Sequence, residues 1–386
     1  GDSLVKLIEL SGIGLMILTI VLSLIYDKGE GFILNFRYHV YAIFIAVFLS
    51  MFMAYQGHGQ SFKITLVAQR FMYYYLFYFT LHALKIPTRF IIHLIIAISI
   101  IHAFFYIVQF FAYPNVLFNV RISEDRGTLR IFLPGFSYII ITYFYSLKKF
   151  FEEYKFFYLG ILMLFLSIFV LMGTRQVLFT IALLTIAFIL LNKEIKSKFL
   201  LVTLVLLSFI PVFFIFQDIF MQLFAVTKEQ GSQSDDDIRV RSATFFLTTF
   251  NPNRFAYIVG NGVSSQNSNY GVLVQSYKDY LGFYQSDVGL IGEYSRFGIL
   301  MVLTIIATFI SVLKSKLGSE YTFLKYLFIS MLLTLFTGSS AFGTSDSIVA
   351  LCFVFYFIDV HKHDQQFKET DEEEETEEEI STEGVP

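Results

Sequence analysis

Long apolar runs broken by short polar stretches set the pattern of this chain. Eleven of them stand out: Leu4–Tyr26, Val40–Tyr55, Ile64–Leu84, Phe90–Tyr113, Ile131–Leu147, Phe156–Met172, Val177–Leu191, Phe199–Phe216, Val288–Leu313, Tyr321–Phe336 and Ile348–Val360. A bilayer core takes about 20 apolar residues per helix. Backbone in hydrocarbon must satisfy its own polar groups, so continuous apolar runs predict spanning helices, whereas barrel strands would show about ten alternating residues. The pattern therefore predicts an all-α polytopic membrane protein of about 11–12 transmembrane helices. Its parts would be transmembrane helices over 1–216, a large extracytoplasmic loop over 217–287, further helices over 288–360 and an acidic tail over 361–386.

Composition agrees. Of 386 residues, 56% are apolar and only 15% charged, with a mean hydropathy of +0.65. A soluble domain is nearer 45–50% apolar and about a quarter charged. The lone Cys352 excludes an internal disulfide or a cysteine metal site. The net charge of −3 hides a division. Residues 361–386 carry 11 acidic and 2 basic side chains, which leaves the remainder at about +6. From Lys368 the acidic run has too little apolar content to fold and repels itself, which predicts a disordered tail.

Lysines set the expected orientation. Lys148, Lys149 and Lys155 follow the fifth run, Lys193, Lys196 and Lys198 the seventh, and Lys314 and Lys316 the ninth. By the positive-inside rule these loops face the cytoplasm, with Lys85, Arg89 and the tail. Outside would lie Gln56–Lys63, Pro114–Arg130, Gly173–Gln176, Gln217–Asp287 and Thr337–Ser347, and strict alternation also puts the amino terminus outside.

The outer loops use arginine instead: Arg121, Arg126, Arg130, Arg175, Arg239, Arg241 and Arg254. Positive charge there runs against the orientation bias, and the guanidinium fork suits phosphate or carboxylate, so an anionic outer ligand is expected. Arg175, in a tight turn between two spans, either snorkels to lipid phosphates or clamps a phosphate in a cavity. Arg239 and Arg241 either pair with Asp235, Asp236 and Asp237 or face a ligand; two apart on a helix, they diverge by about 200°. Gly260-Asn261-Gly262 reads as loop geometry. Asp287, or Ser286 beside it, is a candidate helix N-cap, and Asp287 is equally a candidate general base. Glu293 and Arg296, at i, i+3, make either a structural ion pair or part of a catalytic group. His93 and His102, nine apart, share a helix face suited to an interhelical hydrogen bond. The tyrosines of the large loop, Tyr257, Tyr270, Tyr277, Tyr280 and Tyr284, either stack on sugars or pack at the interface. No metal-ligand spacing such as His-Glu-x-x-His is present.

From Arg121 to Gly298 the order of motifs resembles the O-antigen polymerase and ligase superfamily of bacterial envelope glycosyltransferases. The motifs are Arg126-Gly127 at the entry to a span, Gly-Thr-Arg175 between two spans, Arg241 early in the large loop, Gly260-Asn261-Gly262, and Ser286-Asp287-x-Gly289 ahead of the next span. The resemblance implies a GT-C-like fold in the bacterial inner membrane, with the active site facing the periplasm. It implies a polyprenyl-pyrophosphate-linked oligosaccharide as donor and acceptor, no cofactor and no required metal, and a chain-length regulator and a flippase as partners. Arg175 and Arg241 would hold the pyrophosphate, with Arg239 and Arg126 in support, and Asp287 or Glu293 would take the acceptor proton. Ligases carry a histidine where the large loop re-enters the membrane; Gln285-Ser286-Asp287 stands there, which favours repeat-unit polymerase over O-antigen ligase or another lipid-linked glycan transferase. A transporter or flippase of lipid-linked anionic glycans is the alternative of another class. Its arginines would continue through the membrane to both faces, and only Arg70 and Arg296 among the arginines fall within predicted spans.

Overall fold

A computed structural model describes residues 2–26, 34–192 apart from 119 and 125–128, a few positions between 195 and 221, 238–335 and 342–383. The chain is helical: α1 (Asp2–Tyr26), α2 (Arg37–Gln56), α3 (Phe62–Ala68), α4 (Leu76–Leu84), α5 (Thr88–Ala112), α6 (Phe136–Glu153), α7 (Phe156–Leu171), α8 (Arg175–Leu191), α9 (Ile238–Thr248), α10 (Ala256–Val259), α11 (Asn269–Leu281), α12 (Leu290–Lys314), α13 (Phe323–Thr334) and α14 (Ser345–Glu383). The only sheet among the described residues is a hairpin of β1 (Arg121–Ser123) and β2 (Arg130–Phe132), antiparallel with Ile122 opposite Ile131. Four helices, α1, α2, α5 and α12, are long and apolar enough to cross a membrane; Phe156–Leu171, Gln176–Leu191 and Phe323–Thr334 are shorter apolar helices. Most of the expected span Phe199–Phe216 lies outside the described residues.

Apolar side chains divide between core and exterior. In α14 every residue from Ala350 to Asp359 is buried, so this helix is enclosed on all sides. It packs on α4 and α6, while α12 packs along α2. Large apolar side chains on the outside, such as Leu24, Phe111 and Phe156, are more than three-quarters exposed, which suits lipid as the surrounding solvent.

Two expected spans are not straight. The run Ile64–Leu84 becomes α3, a 3₁₀ turn over Arg70–Tyr75 and α4. That turn carries Arg70, whose Nε donates to Glu9 of α1, so two charges in apolar runs satisfy each other. The run Val288–Leu313 is broken at Gly298. The last helix runs on to Glu383, where composition predicts a disordered tail. Glutamate is a good helix former, and extending an existing helix needs no new nucleus.

Intramembrane polar groups are tied locally. His93 Nδ1 lies 2.7 Å from the Arg89 carbonyl of its own helix, and His102 Nδ1 lies 2.8 Å from the Pro134 carbonyl ahead of α6. A carbonyl only accepts, so each Nδ1 donates, and neither ring makes the helix-to-helix bond that the spacing suggests. Asp359 is fully buried; its Oδ1 accepts from Asn35 Nδ2 at 2.8 Å, and its Oδ2 accepts from the Tyr78 hydroxyl and sits 3.2 Å from His82 Nε2.

Contacts gather the loops at two ends of the bundle. At one, Asn35, His39, Ser311 and Lys314 line a common cavity, Gly318 N donates to His361 Nε2, Tyr321 hydrogen-bonds Thr88, and the Tyr356 hydroxyl donates to the Ile86 carbonyl. At the other, His58 and Gln60 meet the loop Asn261–Ser268, and the Gly135 amide donates to Asp346. We call these the lysine end and the arginine end after their dominant charges.

Candidate anion site at the arginine end

The site is built around the interruption of α12. Gly298 has φ 77° and ψ −169°, a region open essentially to glycine alone. In an unbroken helix the carbonyls of Ser295 and Arg296 would accept from residues 299 and 300. Here they are taken by a loop: Asn261 N donates to Ser295 O at 3.0 Å and Gly262 N to Arg296 O at 2.7 Å, with Asn261 Nδ2 adding a third bond to Ser295 O. Two further glycines let the loop fit, Gly260 against the break and Gly262 against α2. A Cβ at Gly260 would lie 2.4 Å from Arg296 O, and one at Gly262 2.8 Å from Ala54 Cβ. The Gly-Asn-Gly sequence thus seats a loop on a helix break. His58 completes the junction: Nε2 donates to Asn261 Oδ1 at 3.0 Å, the ring stacks on Tyr270 at 4.0 Å, and burial holds its pKa below the ordinary histidine value, so it is neutral near pH 7.

The two-turn segment ahead of the break carries Glu293, Ser295 and Arg296. Glu293 is 1% exposed, and its Oε1 accepts from Arg296 Nη1 at 3.2 Å. Arg296 Nε also donates, at 3.4 Å, to Gln285 Oε1, while Gln285 Nε2 donates to Ser295 Oγ at 3.0 Å. Arg296 is thereby held from two elements with part of its guanidinium exposed. Glu293 Oε2 is buried without a hydrogen-bond partner among the described residues.

A second cation feels the charge of Arg296. Lys278 of α11 is half-buried; burial first, then the charges of Arg296 and, more weakly, Arg121 hold its ammonium below the ordinary lysine range, against a pull from Asp279. The Lys278 ammonium lies 5.9 Å from the Tyr284 ring centroid, and the Arg121 guanidinium 5.2 Å from that of Phe132. The positive charges of the broken span and of the hairpin thus disfavour the charge of Lys278. A doubly charged anion would relieve that repulsion. Lysine pKa depression here has a readable consequence. Pyrophosphate affinity measured by calorimetry should weaken as pH rises through the lowered Lys278 pKa, because the anion binds the protonated amine. In Lys278→Arg the cation stays protonated, so the alkaline loss should shrink. Superimposable wild-type and variant curves would remove Lys278 from the site.

The sequence-predicted residues divide as follows. Asp287 lies in the 3₁₀ turn Gln285–Val288, exposed, with the Ser286 hydroxyl donating to its Oδ1 at 3.0 Å. It does not cap α12, whose N-cap position is Gly289; the intervening 3₁₀ turn displaces the helix start. Arg239 and Arg241 are both exposed on α9, which packs against α12 and this turn, with the Arg241 guanidinium 6.0 Å from the Phe283 ring centroid. Arg175 is the first residue of α8, after Thr174 at the N-cap position. Arg126, the side chain of Arg175 and the acids Asp235–Asp237 lie outside the described residues. The segment Phe283–Arg296 therefore brings Asp287, Glu293 and Arg241 into one neighbourhood. Lys278 has no signal in the sequence, because it belongs to no motif and reaches Arg296 only through the fold of α11.

The loop tyrosines separate clearly. Tyr270 is fully buried in a small core with Phe246, Phe250, Val274, Phe283 and Val288, and Tyr277 packs against it. The Tyr257 hydroxyl donates to the Thr248 carbonyl. Tyr280, 87% exposed, and Tyr284 remain on the surface. No family model matches the chain, and no curated protein or solved structure does so either.

Proposed function

We propose that the protein is a membrane glycosyltransferase of GT-C-like architecture. It polymerises polyprenyl-pyrophosphate-linked oligosaccharide repeat units at the outer face of the bacterial inner membrane. The observation that carries this reading is the Arg296 guanidinium held by Gln285 of the turn that bears Asp287, with the Lys278 ammonium 5.9 Å from the ring centroid of Tyr284 next to that turn. The order of motifs along the chain and the arginine-rich outer loops support it.

In the reaction an acceptor sugar hydroxyl attacks the anomeric carbon of the donor. A C–O bond forms there as the C–O bond to pyrophosphate breaks, and the polyprenyl pyrophosphate departs with the bonding electrons. The cations stabilise the charge that develops on it. Asp287, exposed on the turn, takes the hydroxyl proton. Glu293, deeper and held on Arg296, fixes the guanidinium and is a positioning residue. Tyr280 and Tyr284 offer exposed ring faces for sugar.

Purified protein incubated with lipid-pyrophosphate repeat units should produce a ladder of lengthened lipid-linked chains. Transfer to a different acceptor would mark a ligase, and movement across vesicles with no new bond a transporter; either result overturns the proposal. Asp287→Asn should lower the rate by about 10²-fold with unchanged donor binding, whereas full activity would remove Asp287 as the base.

A further inference from the structure

At the lysine end, opposite the site just described, lies a cavity of about 450 Å³ lined by Asn35, His39, Ser311, Lys314, Lys316 and Lys362, with Phe36, Ser315 and Gln365 completing the wall. Three of these residues are cationic, and among the described residues no carboxylate lines the wall. Its amines differ from those of the neighbouring loop. There Lys148 and Lys149 pair with Glu152, and Lys155 with Glu153. Among the described residues Lys314 and Lys316 have no such partner, although a lysine that only orients a helix would be served equally well by one.

The surroundings keep the cavity positive. Lys325 donates to the carbonyls of Leu313 and Ser315, tying off the negative end of α12 without using Lys314 or Lys316. Asn35 stands between the wall and Asp359: its Nδ2 donates to the carboxylate, and its Oδ1 accepts from Lys362 Nζ at 3.3 Å. The charge of Asp359 is spent on the far side, on Tyr78 and His82. Asp364, next to the wall-lining Gln365, is exposed and lies 3.8 Å from His363. The backbone that bears the acidic run leads away from the wall. α14 continues as helix past Gln365, so Glu369 is already about 6 Å further along the axis and each later acid further still.

We propose that this cavity binds a phosphate group carrying two or more negative charges, a phosphomonoester or a pyrophosphate. Lysine serves such a group as a strongly hydrated point charge, and the amides of Asn35 and Gln365 add neutral polar contacts. The volume accommodates a headgroup or a small phosphorylated molecule. The proposal is independent of the reading of the arginine end.

The test uses the full chain in nanodiscs of phosphatidylcholine, with two probes. One is inorganic pyrophosphate, followed by calorimetry; the other is phosphatidic acid added to the disc, followed by its retention in native mass spectrometry. Pyrophosphate binding that persists in Lys278→Gln and is lost in Lys314→Gln/Lys316→Gln assigns a soluble ligand to this cavity, and selective retention of the second probe a lipid headgroup. In either case Lys314→Gln/Lys316→Gln should weaken binding about tenfold or more, while Lys149→Gln/Lys155→Gln, which removes the same charge elsewhere, should not. Lys314 and Lys316 are exposed, so the double variant should melt like the wild type. Equal loss in both double variants, or no binding above that of Lys314→Gln/Lys316→Gln, would overturn the proposal.

Discussion

Gly298→Ala is expected to lower the midpoint of thermal unfolding more than any other single substitution at the arginine end. Two costs combine. The backbone at φ 77° and ψ −169° is strained for any L side chain, by about 1–3 kcal/mol. The added methyl would also lie 2.1 Å from Ile258 O and 2.7 Å from Gly260 N, both backbone atoms with no rotamer to change. Relief requires moving the loop off the break, which would release the bonds from Asn261 N and Gly262 N and leave buried carbonyls unpaired. Together the cost should be about 3 kcal/mol or more. Gly260→Ala acts on the same contact from the other side, its methyl 2.4 Å from Arg296 O. The double variant should therefore cost clearly less than the sum, since the first substitution has already opened the contact. Thermal unfolding in detergent by intrinsic tyrosine fluorescence reads this directly. A Gly298→Ala protein with a wild-type midpoint would mean that the loop does not sit on the break.

The largest effect on chemistry is expected from Arg296→Gln/Lys278→Gln. If these cations carry the departing pyrophosphate, one donor is worth about 10²–10³ in rate, and the pair about 10³-fold or more. A confounding cost comes with Arg296→Gln alone, because it strands the buried Glu293 carboxylate, 1% exposed. Arg296→Gln/Glu293→Gln removes that burden and keeps neutral hydrogen bonding, so it should restore stability without restoring rate. Lys278→Gln, at a half-buried loop position, should leave stability nearly unchanged. Arg241, exposed over the Phe283 ring, is expected to give a smaller loss, about tenfold on substitution by Gln. The measurement is the initial rate of chain lengthening, alongside thermal midpoints for the same variants. Wild-type rates in Lys278→Gln and in Arg296→Gln/Glu293→Gln would move the anion elsewhere.

Much of the helical layout is legible in the pattern of apolar residues. The run Leu4–Tyr26 becomes α1 (Asp2–Tyr26), Val40–Tyr55 becomes α2 (Arg37–Gln56) and Phe90–Tyr113 becomes α5 (Thr88–Ala112), each within three residues at either end. A helix that pairs its own backbone needs only continuous apolar sequence to reside in lipid, so its extent is a one-dimensional property. The breaks are another matter. Nothing in Glu293-Tyr-Ser-Arg-Phe-Gly298 says that the helix stops, because glycine is frequent in intact transmembrane helices. The stop depends on donors supplied by Asn261 and Gly262, which no local pattern connects to it. The 3₁₀ turn at Arg70 likewise answers to Glu9 on another helix.

The sites divide along the same line. The Glu293–Arg296 pair is readable from its i, i+3 spacing, and the surplus of arginine in the large loop from counting alone. Sequence by itself determined that this is a helical protein made for lipid, that its charges are divided by type along the chain, and that one pair of opposite charges would sit in a span. Tertiary structure decided which cations lie near one another. Lys278 feels the charges of Arg296 and Arg121, which lie on other elements, and Lys314, Lys316 and Lys362 line one cavity with Asn35 because the segment after α12 meets the middle of α14, where Gly318 N donates to His361 Nε2. The physical reason is the range of the forces involved. Burial of an apolar run is a sum over its own residues, whereas a binding charge is defined by neighbours within a few ångströms, and only the folded chain supplies those.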